Sequence, residues 1–417
     1  MANFLIRGGK KLNGEITVSG SKNATLPILC AAMLSREKTV LTNVPDIQDV
    51  HSMISILENF GAKIEFKNNT VSIDPSQVSK KPAPEELVKK MRASILIIGG
   101  LIGRIKEIKM AFPGGCVLGK RSVHAHTHAL KELGCEIIED EKYLHIKVKK
   151  LKGKKVILPE LSVTATENAI MAAVLAEGET EIRLAATEPH VQDLCLFLNK
   201  MGAKISGIAS NNLIINGVKK LKGAKFQITG DYLEAGTFAI AAAATQGTVK
   251  INGINPDHLD SFWEKLQEVG VKFELHKNHV NILASKGLKA VKSLRTAIYP
   301  SFATDLQAPF AVLLTQANGV SKVFETLFEG RLNYLFELEK MGARIEFLNP
   351  HQALIIGPTG LKGLPISSCD IRAGAAMVIA ALIADGETEI SNINYIDRGY
   401  EKLDEKLRLL GADIHRI

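Results

Sequence analysis

The 417-residue chain has little aromatic content, with one Trp and six Tyr, and no Arg-rich run. It therefore lacks the stacking platforms and basic tails that grip nucleic acid, although its formal net charge is +8. A mild, dispersed cationic excess suits small phosphorylated metabolites instead. The five cysteines, Cys30, Cys116, Cys135, Cys195 and Cys369, are scattered and form no Cys-x-x-Cys pair. An odd, unpaired set reads as reduced thiols and excludes a disulfide frame or a zinc ribbon. No apolar run reaches the roughly 20 residues that span a bilayer, even over residues 373–384. Only Phe4, Leu5 and Ile6 precede Arg7, too few for a signal-peptide core. These absences lead to the expectation of a cytoplasmic protein with no nucleic-acid partner and no membrane insertion.

With 46% hydrophobic and 23% charged residues the composition is globular, and the length favours two domains over one. One stretch stands out, Ala111-Phe-Pro-Gly-Gly-Cys-Val-Leu-Gly-Lys-Arg121. It sets Cys116 among Gly114, Gly115 and Gly119 and beside Lys120 and Arg121. Glycines permit close backbone approach, and neighbouring cations acidify a thiol. Taken alone, the stretch is equally well a surface turn.

Repetition is the strongest architectural signal. A helix-ending glycine followed by an extended segment recurs at Gly61, Gly134, Gly202, Gly270, Gly342 and Gly411, roughly 70 positions apart. An amphipathic surface helix precedes each, as over residues 191–201 or 400–410. Earlier in each unit lies a segment apolar on all sides: residues 24–34, 93–102, 165–176, 235–245, 306–315 and 373–384. These read as fully buried helices. Alternating segments such as Thr248-Val-Lys-Ile-Asn252 supply about four strands per unit. The start, Asn3-Phe-Leu-Ile-Arg-Gly-Gly-Lys-Lys-Leu12, aligns without a gap on residues 212–221. The sixth repeat stops at Ile417 without its last strand, so the N-terminal strand is expected to complete it. The predicted architecture is α/β, with domains at 21–229 and at 230–417 plus 1–20, two chain crossings and a cleft between.

Polar residues gather at the front of the buried helices: Ser21-Lys22-Asn23, Arg92, Ser162-Val163-Thr164 with Thr166-Glu167-Asn168, Asp231 with Glu234, Thr304-Asp305, and Asp370 with Arg372. The surface helices are expected to open similarly, at Arg121, Glu188, Arg331 and Asp397-Arg398. The acids are readily explained as caps. Lys22, Arg92 and Arg372 are not, because a cation opposes the positive end of a helix, and a bound anion would offset that.

Three near-motifs lead elsewhere. Gly114-x4-Gly119-Lys120 begins like a phosphate-binding loop, but Arg121 replaces the Ser or Thr that would hold magnesium. His124, His126 and His128 put only His124 and His128 on one helical face, with no following carboxylate, so a solvated helix is the expectation. Gly99-Gly100-Leu-Ile-Gly103 follows a helix and not a strand, which does not support a dinucleotide fingerprint.

Together these residues carry a resemblance that covers essentially the whole chain. Gly20-Ser21-Lys22-Asn23-Ala24, Pro113-Gly114-Gly115-Cys116 with Gly119 and Arg121, and Ser162-Val163 before Ala165-Thr166-Glu167-Asn168 belong to it. So do Tyr299-Pro300 before Thr304-Asp305-Leu306-Gln307, Phe328-Glu329 with Arg331, Asp370 with Arg372, and Ile396-Asp397-Arg398-Gly399-Tyr400-Glu401. The chain resembles the UDP-N-acetylglucosamine 1-carboxyvinyltransferase family of enolpyruvyl transferases. The resemblance implies two inside-out α/β barrels of three repeats each. It also implies transfer of the enolpyruvyl group of phosphoenolpyruvate to the 3′-hydroxyl of UDP-N-acetylglucosamine, the entry to bacterial peptidoglycan synthesis, with no metal or organic cofactor.

By the same resemblance Cys116 is the general acid and the site of a covalent phosphoenolpyruvate adduct, and Asp305 the base. Lys22, Arg121 and Arg398 hold phosphate with Asn23 beside them, and Arg331 and Arg372 hold the carboxylate. Arg92, the stretch Arg121, Ser122, Val123, His124 and Ala125, the segment Glu160, Leu161, Ser162 and Val163, and Leu327 face the UDP-sugar. The loop at 111–121 becomes a catalytic lid. Cationic neighbours favour the Cys116 thiolate, which suits adduct formation more than proton donation, and both roles stay open.

Two stretches depart from the family pattern. Its Arg-Pro-x-Asp run is Arg121-Ser122-Val123-His124 here, and its Gly after Ser-Val is Thr164. The sister 3-phosphoshikimate 1-carboxyvinyltransferases lack the Pro-Gly-Gly-Cys loop and open the first helix with Lys-Ser, where this chain has Lys22-Asn23. A non-catalytic UDP-sugar-binding paralogue would be expected to have lost Cys116, Asp305 or Arg398, and all three are present.

Overall fold

The computed structural model describes residues 2–114 and 122–417. The chain forms two compact units, one of residues 2–19 and 230–417, the other of residues 20–114 and 122–229. It passes from one to the other after Ser19 and again after Thr229. Each unit has its own hydrophobic core.

The fold is mixed α/β, as the sequence leads one to expect. The described residues contain five four-stranded sheets and one of three strands, Glu107–Ala111, Glu136–Glu139 and Tyr143–Lys147. Four strands are therefore not reached in that repeat among the described residues. The local pattern is clearest in the repeat that starts at Lys155–Ile157. That strand pairs parallel with Glu179–Arg183, and the helix Val163–Ala173 forms the crossover between them. After the helix Pro189–Lys200, the strands Lys204–Ser206 and Asn212–Asn216 add antiparallel.

Strands are exchanged along the sequence to close each unit. Phe4–Arg7 lies between Glu387–Ser391 and Asp413–Arg416, antiparallel to both. Asn13–Thr17 pairs parallel with Thr248–Asn252, and Lys225–Gln227 with Thr39–Thr42.

The buried helices are Lys22–Ala32, Ile97–Ile105, Val163–Ala173, Tyr232–Ala244, Thr304–Leu314 and Ile371–Ile383. Small residues let them meet closely. A Cβ added at Gly100 would lie 2.4 Å from the Cys30 carbonyl oxygen, and one at Gly99 would lie 2.7 Å from Asn168 Oδ1. In the other unit, a Cβ at Gly236 would come within 2.6 Å of Leu306 Cδ1. Five of these helices start two or three residues before their apolar segments, so the polar residues at their fronts lie in or at the edge of the first turn. In the second repeat a 3-10 turn, Arg92–Leu96, precedes the α-helix. The six glycines at the ends of the surface helices all have φ between 93° and 102°. That is the left-handed region in which glycine avoids the Cβ clash. No helix among the described residues is long and apolar enough to cross a membrane.

Candidate active site

In the unit formed by 2–19 and 230–417, three helix fronts meet in an ionic cluster. Asp305, in the first turn of Thr304–Leu314, accepts from Arg331 Nη2 at 2.5 Å and pairs with Arg372 Nε at 3.3 Å. Arg331 belongs to the 3-10 turn Glu329–Leu332, and Arg372 to the first turn of Ile371–Ile383. Both arginines are 5% exposed. Such burial disfavours a cation, but the charge of Asp305 reverses the balance for Arg331, helped by Asp370 and Glu325. Arg372 is likewise held above its ordinary value, by Tyr400 first and then Asp305, and its guanidinium lies 5.1 Å from the Tyr400 ring centroid. Arg331 Nε and Arg372 Nη1 are buried without a hydrogen-bond partner among the described residues.

Asp305 does not cap its helix. The N-cap is Ala303, without a side-chain bond, and the carboxylate is turned to the two arginines. Asp370 and Asp231 do cap, accepting from Arg372 N and Ala373 N, and from Leu233 N and Glu234 N. Glu234 instead accepts from Lys406 and from the Ser19 backbone N–H. Glu325 fixes the backbone at Leu327, accepting from its N–H at 2.8 Å and from Phe328 N–H at 3.3 Å. Arg398 is half-buried and follows the one-turn helix Asn394–Asp397. Asp397 and Arg398 therefore close a short helix, whereas the sequence reading had them open the surface helix, which starts at Leu403. Asp397 is drawn off by Arg416, bonded at 2.8 Å through both carboxylate oxygens.

The other unit gathers a second set. Ser21 caps Lys22–Ala32, accepting from Ala24 N, and Asn23 sits in the first turn, half-buried. Lys22 Nζ pairs with Asp49 Oδ2 at 2.9 Å, with side chains 12% and 6% exposed. A carboxylate thus compensates Lys22 within the fold, and that partner was missed from sequence. Asp49 lies in the first turn of Gln48–Asn59, the first repeat's surface helix, the region where other repeats showed charges. Arg92 Nη2 donates to the Ser122 carbonyl at 2.6 Å, and Ser122 Oγ accepts from His124 N at 3.0 Å. Ser122 and His124 are exposed, while Val123 and Ala125 turn inward. Glu160 is exposed, its carbonyl accepting from Ser162 N at 2.9 Å, and Leu161, Ser162 and Val163 are half-buried. Cys116 and Arg121, with the 115–121 part of the expected lid at 111–121, lie outside the described residues.

His126 corrects the expectation of a solvated histidine helix. It is 2% exposed, with Nδ1 2.9 Å from Asn168 Nδ2 and Nε2 3.1 Å from Thr164 Oγ1. Burial first, and then the Arg92 charge, push its pKa down to about 3, so the ring is neutral. Glu167 is not a cap either. It is 1% exposed, and burial followed by the Glu188 charge holds its carboxyl well above the usual range. Among the described residues, no group of three or more His, Cys, Asp or Glu side chains could hold a metal ion.

Comparisons with known proteins agree with this architecture. A family model described as EPSP synthase (3-phosphoshikimate 1-carboxyvinyltransferase) matches residues 6–407. The UDP-N-acetylglucosamine 1-carboxyvinyltransferase of Halothermothrix orenii is 44% identical over 417 residues, covering 100% of both chains. A protein of that name from Dichelobacter nodosus is 44% identical over 418 residues, covering 100% of this chain and 99% of the relative. Among solved structures, the enolpyruvyl transferase NikO from Streptomyces tendae superposes with a TM-score of 0.90 at 22% identity, over 100% of this chain and 99% of that one. An EPSP synthase from Acinetobacter baumannii gives 0.77 at 20% identity over 100% of each chain. At such identities the two structures speak for the fold.

Proposed function

This chain belongs to the UDP-N-acetylglucosamine 1-carboxyvinyltransferases within the EPSP synthase family, and from that membership we propose that it transfers the enolpyruvyl group of phosphoenolpyruvate to the 3′-hydroxyl of UDP-N-acetylglucosamine, releasing phosphate. The observation that carries the reading is the arginine pair around Asp305. Two buried guanidiniums converge on one carboxylate, and each keeps an N–H without an acceptor among the described residues. Buried cations with spare donors are matched by a second anion, and the carboxylate of phosphoenolpyruvate has the planar, two-oxygen form that a guanidinium binds best.

On this reading Arg331 and Arg372 take the substrate carboxylate, which competes with Asp305 for their N–H groups. Asp305 then has lone pairs available to receive the proton of the sugar hydroxyl. The sugar 3′-oxygen attacks C2 of phosphoenolpyruvate while a proton, delivered by Cys116, reaches C3, giving a tetrahedral ketal. Loss of phosphate from C2 and of a proton from C3 restores the double bond. Lys22, Arg121 and Arg398, with Asn23, neutralise the phosphate as it departs. Arg92, the run Arg121–Ala125, the segment 160–163 and Leu327 receive the UDP-sugar. Supply of a peptidoglycan precursor in the cytoplasm, serving the cell wall and hence cell shape, growth and division, is part of the same proposal.

The test is a continuous assay of inorganic phosphate. Release is expected only when phosphoenolpyruvate and UDP-N-acetylglucosamine are both present. Release from phosphoenolpyruvate alone at the same rate would refute the transfer.

A further inference from the structure

Thr164, one of the two departures from the family pattern, has a hydroxyl whose hydrogen is directed by its neighbours. Asn168 Oδ1 accepts from Gly99 N–H at 2.8 Å, while Asn168 Nδ2 faces the Ile95 carbonyl at 3.1 Å. Reversing the amide would set donor against donor and acceptor against acceptor, so the backbone fixes its orientation. Asn168 Nδ2 therefore donates to His126 Nδ1, which must be the unprotonated nitrogen of a neutral ring. The remaining ring proton is on Nε2, and it points to Thr164 Oγ1 at 3.1 Å. Thr164 thus accepts from His126, and its own O–H hydrogen has no other acceptor among the described residues. The residue is half-buried at the front of Val163–Ala173, next to Ser162 and Val163.

We infer that Thr164 is a specificity-determining donor for the nucleotide sugar: His126, oriented by Asn168, occupies its acceptor side, so its hydroxyl hydrogen is presented to an acceptor oxygen of the UDP-sugar. This rests on the proposed function, because the neighbouring segment is the one assigned to that ligand. A glycine here has no such donor, and it would leave the buried His126 N–H to water.

The experiment measures KM for each substrate and kcat in the wild type and in Thr164→Ser, Thr164→Val and Thr164→Gly. Valine keeps the branched shape without the hydroxyl, glycine opens the position to water, and serine restores the donor. The expected result is a KM for UDP-N-acetylglucosamine raised about 3- to 10-fold in the valine and glycine variants, the range of one net hydrogen bond. KM for phosphoenolpyruvate and kcat should stay within twofold, and serine should behave as the wild type. An unchanged KM for the UDP-sugar in both valine and glycine variants would overturn the inference. So would an equal rise for both substrates, which marks a merely structural role. A wild type that ignores UDP-N-acetylglucosamine removes the proposed function itself and this inference with it, and that failure is read before any variant is compared.

Discussion

Replacing Asp305 by alanine isolates the ionic cluster at the centre of the proposed chemistry. Arg331 and Arg372, each 5% exposed, would lose the carboxylate they share. Removing one partner of a buried ion pair costs about 3–5 kcal/mol, because the other charge is left without compensation. The Asp305 side chain is 27% exposed. Water can therefore follow the deletion, which puts the loss near the lower bound, about 3 kcal/mol. A unit of this size loses roughly 2–4 °C per kcal/mol, so its melting transition should fall by about 6–12 °C. Calorimetry is the appropriate assay, since a two-unit chain need not melt in one step. Asp305→Asn keeps the shape and one good acceptor and should lose roughly half as much. Turnover should fall about 100- to 10,000-fold in both variants if Asp305 is the base. A melting profile of Asp305→Ala that matches the wild type would refute the claim that this carboxylate holds the two arginines.

Three further outcomes follow from particular contacts. His126 has a folded pKa near 3 against about 6.5 unfolded, so below pH 6.5 the unfolded chain takes a proton that the fold refuses. Its contribution is complete above pH 6.5 and is lost as pH falls toward 3, at about 1.4 kcal/mol per pH unit; the gap in urea midpoint between wild type and His126→Asn should shrink accordingly, and a gap independent of pH would contradict the buried neutral ring. Gly100→Ala should lower the urea midpoint by the equivalent of about 1–3 kcal/mol, because its Cβ would meet the Cys30 carbonyl, and an unchanged midpoint would mean that the two helices have slack. Cys116→Ala should carry no phosphoenolpyruvate adduct by intact mass, and an adduct of wild-type yield would assign the attachment to another residue.

Much of the architecture was legible because it rests on local rules. Glycine is the cheapest residue in a left-handed helix ending, and six such endings roughly one repeat apart expose the repetition without any long-range contact. Helix starts were harder. Lys22, Thr164, Asp305 and Arg372 are polar, so an apolar pattern stops short of them, yet all four lie inside the first turn of their helices. The exchanged pairing of Asn13–Thr17 with Thr248–Asn252 links segments far apart in sequence, and no local pattern encodes it. At the candidate site, charged residue types were legible but their partners were not. Nothing in the spacing says that Asp305 turns to two arginines instead of capping, or that Asp49 reaches Lys22. His126 was misread because three alternating histidines look polar, and only the opposing helix with Asn168 and Thr164 makes the middle one a core residue.

The choice of acceptor sets the members of this family apart, since its model is described as a 3-phosphoshikimate enzyme while the 44% identical relatives carry the UDP-sugar name. It is tested most directly by initial rates of phosphate release with phosphoenolpyruvate fixed and either UDP-N-acetylglucosamine or shikimate 3-phosphate varied. Turnover is expected with the UDP-sugar and none above background with shikimate 3-phosphate. Equal or greater turnover with shikimate 3-phosphate would contradict it.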